Sequence, residues 1–283
     1  MYPGNQNVNN TMAGQATHQA SISLYHYMCY NIVGTEEHVK SLRIINTVRD
    51  NLSRSDIEIP ITGGSFGEGL DMRGSDVDLV KVLTYIEVCE NINVSFNPDK
   101  TYFTMETGET QPGYTLLRLI HRKHLAILEL CNEKEGEQYF SNLKLKQRFT
   151  SKFASIIHGP CVYDNDEFLD LAYTFHNRSW ITPVEEWITR SKNAWPENDV
   201  KQSIIKHGVL FVPKGVQGSK KEELEWRISF CVGEKFLIYS FTHTQLLCYA
   251  LMKILLKDVI EIDIEYKELL SSYVMKTILF WIS

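Results

Sequence analysis

Asp76 and Asp78 stand one residue apart in the run Asp76-Val-Asp-Leu-Val-Lys-Val-Leu83. Its valines and leucines make the stretch read as a strand, whose side chains alternate between two faces. Asp76 and Asp78 therefore share a face with Val80 and Val82, the two carboxylates about 7 Å apart by twice the strand rise. Carboxylates in such a setting are costly to bury unpaired. A divalent cation removes the conflict, because hard Mg²⁺ takes carboxylate oxygens together with substrate phosphates. Just upstream, Gly63, Gly64, Gly67 and Gly69 allow tight turns and close approach of backbone to a ligand. Ser65 can donate to a phosphate oxygen beside backbone N–H groups. A phosphate grip followed by an acid–x–acid strand suits nucleotidyl transfer: one cation neutralises a triphosphate and a second lowers the pKa of the attacking hydroxyl. The stretch is not a P-loop, since no lysine precedes Ser75, and Gly67-x-Gly69 is followed by Met72 rather than by the third glycine of a dinucleotide fingerprint. The same residues also fit a glycine-rich hairpin whose aspartates cap turns or pair with Arg73 or Lys81. The residues alone leave both readings open.

Elements must position these groups. Val39, Leu42, Ile45, Val48 and Leu52 recur at helical spacing after Thr35, a fitting N-cap, within a helical region over about 17–54. Strands are expected at 57–61, 77–83, 102–105, 114–120 and 125–130, separated by turn signals such as Asn97-Pro98-Asp99 and Pro112-Gly113. A helix is expected over 141–153 and a strand at 209–212. Thr242-His-Thr-Gln245 has capping-box spacing and opens a helix through about Lys257, and 273–281 reads as another. Residues 1–15 are polar and read as unstructured. The expected class is α+β: a mixed sheet flanked by helices over 16–200, then a mainly helical lobe over 201–283.

The totals narrow the function. A net charge of -6 over 283 residues argues against coating nucleic acid by bulk charge. One local basic face, Lys144, Lys146, Arg148 and Lys152, stays open beside its reading as a solvated helix surface. Six cysteines include no C-x-x-C pair, which excludes a zinc ribbon or dithiol redox motif. His121 and His124 form the closest histidine pair and read as structural. The N-terminus lacks the charged start and apolar stretch of a signal peptide. The most apolar region, 236–256, is broken by His243, Gln245 and Lys253, so no membrane span is expected. A reducing, cytoplasmic location follows.

Gly64-Ser65 followed by Asp76-Val77-Asp78 resembles the signature of the nucleotidyltransferase superfamily. Two further blocks, EWRISFCVGEKFLI (225–238) and SSYVMKTILFW (271–281), resemble the male-abnormal-21 family, which includes cyclic GMP–AMP synthase and its invertebrate receptor-like relatives. The resemblance runs from about residue 20 to the end. It implies a bilobal nucleotidyltransferase fold with a nucleotide cleft between the lobes, and synthesis of a cyclic dinucleotide from ATP and GTP in innate immune signalling. It assigns two Mg²⁺ or Mn²⁺ ions to Asp76 and Asp78. Gly64 and Ser65 would hold a triphosphate. Arg227 and Ser229 would read a guanine and its neighbourhood, and Glu234 would contact nucleotide. Lys253 and Ser272 would contact phosphate, and Tyr273 would stack on a base. Active members carry a third metal-binding acid on a later strand. Alignment puts Ala126 or Ile127 there, with Glu129, two residues on and on the same strand face, as the substitute. Double-stranded nucleic acid is the implied activator, although the cysteine spacing offers no metal-bound thumb for DNA. The family's helical lobe continues past the residue matching Trp281, so an incomplete lobe is expected. The competing reading is a lapsed enzyme that keeps the fold as a nucleotide-binding or protein-interaction module.

Overall fold

The computed structural model describes residues 5–72, 76–92, 95–150, 156–163, 169–189, 195–262 and 270–283, with side chains from residue 14 onward except at 188 and 189. The chain forms two compact units. One comprises Met1–Leu42, Gly69–Arg73 and Phe241–Ser283, and the other Arg43–Glu68 and Gly74–Ser240. α5 (Glu185–Thr189), α6 (Asn198–His207), β10 (Val209–Val212), β11 (Glu225–Ser229) and α7 (Cys231–Tyr239) all belong to the sheet-bearing unit, which runs to Ser240.

That larger unit is a mixed sheet with helices. Its strands are β1 (Glu58–Thr62), β2 (Val77–Cys89), β3 (Thr101–Glu106), β4 (Tyr114–His121), β5 (Cys131–Lys134), β6 (Glu137–Phe140), β7 (Ile156–His158), β8 (Cys161–Tyr163), β9 (Leu169–Asn177), β10 and β11. The pairing path runs β1-β2-β3-β4-β11-β10-β9-β8-β7, with β5 and β6 joined to it through β4. β2 is long enough to pair twice in parallel. Its first half lies along β9 and its end along β3, with a break in register between Val82 and Glu87. Strand pairing therefore closes on itself through β2, β3, β4, β11, β10 and β9. The interior is filled by Phe103, Phe140, Phe175, Phe211 and Trp226, each fully buried. Trp226 Nε1 donates to Phe140 O at 2.9 Å, so the indole N–H is satisfied inside the core.

Most strands fall where alternation placed them, but residues 125–130 form a 3₁₀ turn rather than a strand. Short apolar runs do not distinguish the two by periodicity. α4 (Asn142–Phe149) begins at its Ser141 cap as expected and stops at Phe149, short of residue 153. It is not a free basic face. Lys144 Nζ donates to Cys131 O at 2.6 Å and Lys146 Nζ to Gly159 O at 3.0 Å. Lys152 lies outside the described residues.

The smaller unit is helical. α1 (Asn5–Asn31) includes residues 5–15, which composition had left unstructured. α2 (Glu36–Leu52) begins after Thr35, whose Oγ1 accepts from His38 N at 3.3 Å, and its first turns belong here. α8 (His243–Leu255) opens on the expected capping box of Thr242 and Gln245. α9 (Ser272–Ile282) follows its Ser271 cap, and Phe280 meets Phe241 edge to face at 5.8 Å between ring centres. Cys29 Sγ lies 3.4 Å from His243 Nε2, tying α1 to α8. No described helix is long and apolar enough to cross a membrane.

Candidate active site

β1 and β2 are antiparallel, with Thr62 opposite Leu79. After Thr62 the chain leaves the sheet and turns into α3 (Gly64–Gly67). Gly63 N donates to Asp78 O at 2.7 Å, pinning the turn to the strand. Gly64 has φ +56, and a Cβ there would fall on the Asp78 carboxylate. Glycine is required at this position for two separate reasons, the left-handed backbone and the carboxylate pressed against it. Ser65 follows directly and is half-buried. Gly64, the first of the Gly64-Ser65 pair read from sequence, is thus placed against Asp78.

Asp76 lies one residue ahead of β2 and is exposed, while Asp78 is within the strand and half-buried. Arg73, invoked above as an alternative partner, lies outside the described residues. Lys81 pairs with Glu58 at 2.8 Å instead of with either aspartate.

The neighbour of Asp78 is an acid that the sequence reading did not single out. β2 and β9 run parallel with Asp78 opposite Asp170, and β8 and β9 run antiparallel with Asp170 opposite Tyr163. Tyr163, Asp170 and Asp78 therefore form one row across three strands. Asp170 is buried, 9% exposed. The Tyr163 hydroxyl lies 3.4 Å from His158 Nδ1 and is pushed up to about 12 by burial first, then by the Asp170 charge, with a smaller contribution from Asp76. The Cys161 thiol, two residues away on β8, is pushed up to about 12 by burial first and then by Asp170 and Asp78, with Arg227 and Lys146 opposing. The three aspartates and Arg227 thus act on one small region.

The other sequence-derived residues are placed as follows. Arg227 and Ser229 lie on β11, with Trp226 beside Arg227 directed into the core. Ser229 Oγ accepts from Cys231 N at 3.4 Å at the start of α7, and Glu234 is in the first turn of that helix. Lys253 lies on α8 with its ammonium 5.6 Å from the centre of the Tyr249 ring. Ser272 and Tyr273 open α9, and Tyr273 is 60% exposed. These last three belong to the helical unit. Glu129 is an exposed residue of the 3₁₀ turn, so the strand alternation that would have set it beside Ile127 as a substitute ligand does not exist.

Do these groups suit a divalent cation? Among the described residues no three His, Cys, Asp or Glu side chains stand together as a ready-made cage. Mg²⁺ does not need one, since it binds through one or two carboxylates and completes its shell with water and substrate phosphates. Two carboxylates in register on adjacent strands, one of them buried, meet that description. Like charges directly opposite in a sheet otherwise repel. No protein-family model matches the chain, and no curated protein matches it.

Proposed function

We propose that this chain is a metal-dependent nucleotidyltransferase of the cyclic-dinucleotide synthase kind, with the bilobal fold of the male-abnormal-21 family, joining ATP to GTP in innate immune signalling. The observation that carries the proposal is the placement of Asp78 between two partners: Asp170 in register on β9 and the Gly64-Ser65 turn against its carboxylate. In this reading Asp78 and Asp170, with Asp76 at the mouth, hold Mg²⁺ or Mn²⁺, two ions in all. Those ions supply charge neutralisation for a triphosphate and acidify the attacking hydroxyl. Ser65 donates to a phosphate oxygen and sets the chain of phosphates over the carboxylates. Tyr163 stands opposite Asp170 on β8 and flanks it. Arg227, acting on the same region, presents a fixed cation and a forked donor that suits the O6 and N7 acceptors of guanine. Glu234 and Ser229 complete that side. Lys253 and Ser272 contact phosphate, and Tyr273 offers an aromatic face to a purine. Double-stranded nucleic acid is the proposed activator.

A second reading has one observation in its favour. Glu129, expected to supply the third acid from a strand, lies in a 3₁₀ turn instead, which suits a nucleotide-binding or protein-interaction module that has lost catalysis. One experiment separates the two. The protein is incubated with labelled ATP and GTP, Mg²⁺ or Mn²⁺, and double-stranded DNA or RNA. A phosphatase-resistant product that needs metal and disappears in Asp78→Asn supports the enzyme. Retained nucleotide binding without product under every activator establishes the module.

A further inference from the structure

Thr62, the residue that enters the Gly63–Glu68 turn, has all three of its polar groups held by one largely buried pair. Asp50 on α2 accepts from Thr62 N at 2.9 Å and from Thr62 Oγ1 at 2.6 Å. Lys235 on α7 donates to Thr62 O at 2.9 Å and lies 3.9 Å from Asp50. The two side chains are only 12% and 14% exposed. Burial draws the Lys235 ammonium below its usual range, and the Asp50 charge opposes that shift.

The exit from the turn is held in the same way. Phe66 O accepts from Asn46 Nδ2 at 3.0 Å, Gly67 O from the Tyr239 hydroxyl at 2.9 Å, and Glu68 O from Arg43 Nε at 2.8 Å. The Arg43 guanidinium also stacks on Tyr239, 4.5 Å from the ring centre. Four carbonyls of one short segment are therefore bound by side chains from two helices, α2 and α7. A bare turn needs no such support. Taking the Lys235–Asp50 pair largely out of water is costly unless the position of the groups it binds matters.

We infer that the Lys235–Asp50 pair is a positioning device for the Ser65 turn, holding it in register over Asp78 so that a triphosphate meets serine and carboxylates together. Lys235 touches no reacting atom in this role; it acts through Thr62. The inference rests on the reading of Ser65 as a triphosphate contact.

Lys235→Met keeps the bulk of the side chain and removes its charge and donor. Backbone amides of residues 63–68 should exchange with deuterium about tenfold faster or more, the size expected for losing a charge-assisted hydrogen bond, while those of β2 are unchanged. Affinity for a non-hydrolysable ATP analogue with Mg²⁺ should fall by a similar factor. Combined with Ser65→Ala, that loss should not add in full, because both changes act through one turn. Full additivity overturns the positioning role. Unchanged exchange at 63–68 overturns the clamp whatever the wild type binds. Faster exchange in a protein whose wild type binds no triphosphate overturns the phosphate assignment, and the positioning role with it, while leaving the clamp visible. If Lys235→Met does not fold, Tyr239→Phe removes only the hydroxyl at Gly67 O and is held to the same outcomes at a several-fold size.

Discussion

Replacing Asp170 by asparagine separates a metal-binding carboxylate from a structural one. Adjacent strands lie about 4.8 Å apart, and two full charges about 5 Å apart at an effective dielectric of about 20 repel by about 3 kcal/mol. Asp78 is half-buried rather than enclosed, and solvent screening cuts that to about 1–2 kcal/mol. The amide that replaces the carboxylate keeps one oxygen acceptor, and exchanging a charged acceptor for a neutral one costs about 0.5–1.5 kcal/mol. The two effects nearly cancel, and Asp170→Asn without ligand should melt within a few degrees of wild type. Ligand changes the comparison. A Mg²⁺–triphosphate analogue at about one hundred times its Kd stabilises wild type by about 2.7 kcal/mol, a Tm rise of roughly 5–10 °C for a chain of this size. Asp170→Asn and Asp78→Asn should lose most of that rise. Thermal melts of the three proteins, with metal alone, analogue alone and both, provide the measurement. An Asp170→Asn protein stabilised by ligand as fully as wild type would refute the pairing of these acids as a cation site. So would one that is severely destabilised before ligand is added, since that is the behaviour of a structural carboxylate.

Gly64→Ala should destabilise by about 1–2 kcal/mol from the left-handed backbone alone and abolish triphosphate affinity through the displaced Asp78 carboxylate, as read by denaturant melts and titration. His176 donates to His207 O at 2.6 Å and is held down to about 4, chiefly by burial. It stays neutral in the folded protein, so its contribution is full above about pH 6.5 and is lost as pH falls towards about 4, a change of up to about 3 kcal/mol. His176→Gln should flatten the stability profile across that window, and an unchanged slope would count against the burial. Tyr273→Ala should shift stability by no more than about 0.5 kcal/mol, because the residue is 60% exposed. It should weaken nucleotide binding about tenfold, the lower part of the range for a base-stacking contact, whereas Tyr273→Phe should be mild; equal binding by all three proteins would make the tyrosine a packing residue only.

Part of the candidate site was legible because it is local. The Gly64-Ser65 turn and Asp78 are close in sequence, and strand alternation with glycine chemistry is enough to set them together. The Thr242–Gln245 capping box was legible for the same reason. Asp170 was not, because its position beside Asp78 is a choice of strand partner, which no local pattern specifies. A signal was nonetheless present: Leu169-Asp-Leu-Ala repeats the acid-within-apolar pattern of Val77-Asp-Leu-Val. Searching for a second copy of that pattern would have found it. The strand expected at 125–130 was misread for the opposite reason, since a run of six mostly apolar residues satisfies a strand and a 3₁₀ turn alike. The buried Lys235 was invisible because a lysine on an amphipathic helix reads as surface.

The register between β2 and β9 also has a consequence for how the protein is made. Asp78 and Asp170 are roughly ninety residues apart along the chain and meet only through a parallel pairing, the kind of contact that forms late because the intervening loop must first be closed. During synthesis the Gly-Ser turn and the first two aspartates emerge long before their partner strand. A chain halted anywhere before β9 carries the visible signature and none of the paired site. On the proposed reading, cation affinity would report on completion of the sheet, and a ligand that bridges the two acids would act as a selective stabiliser of the finished fold.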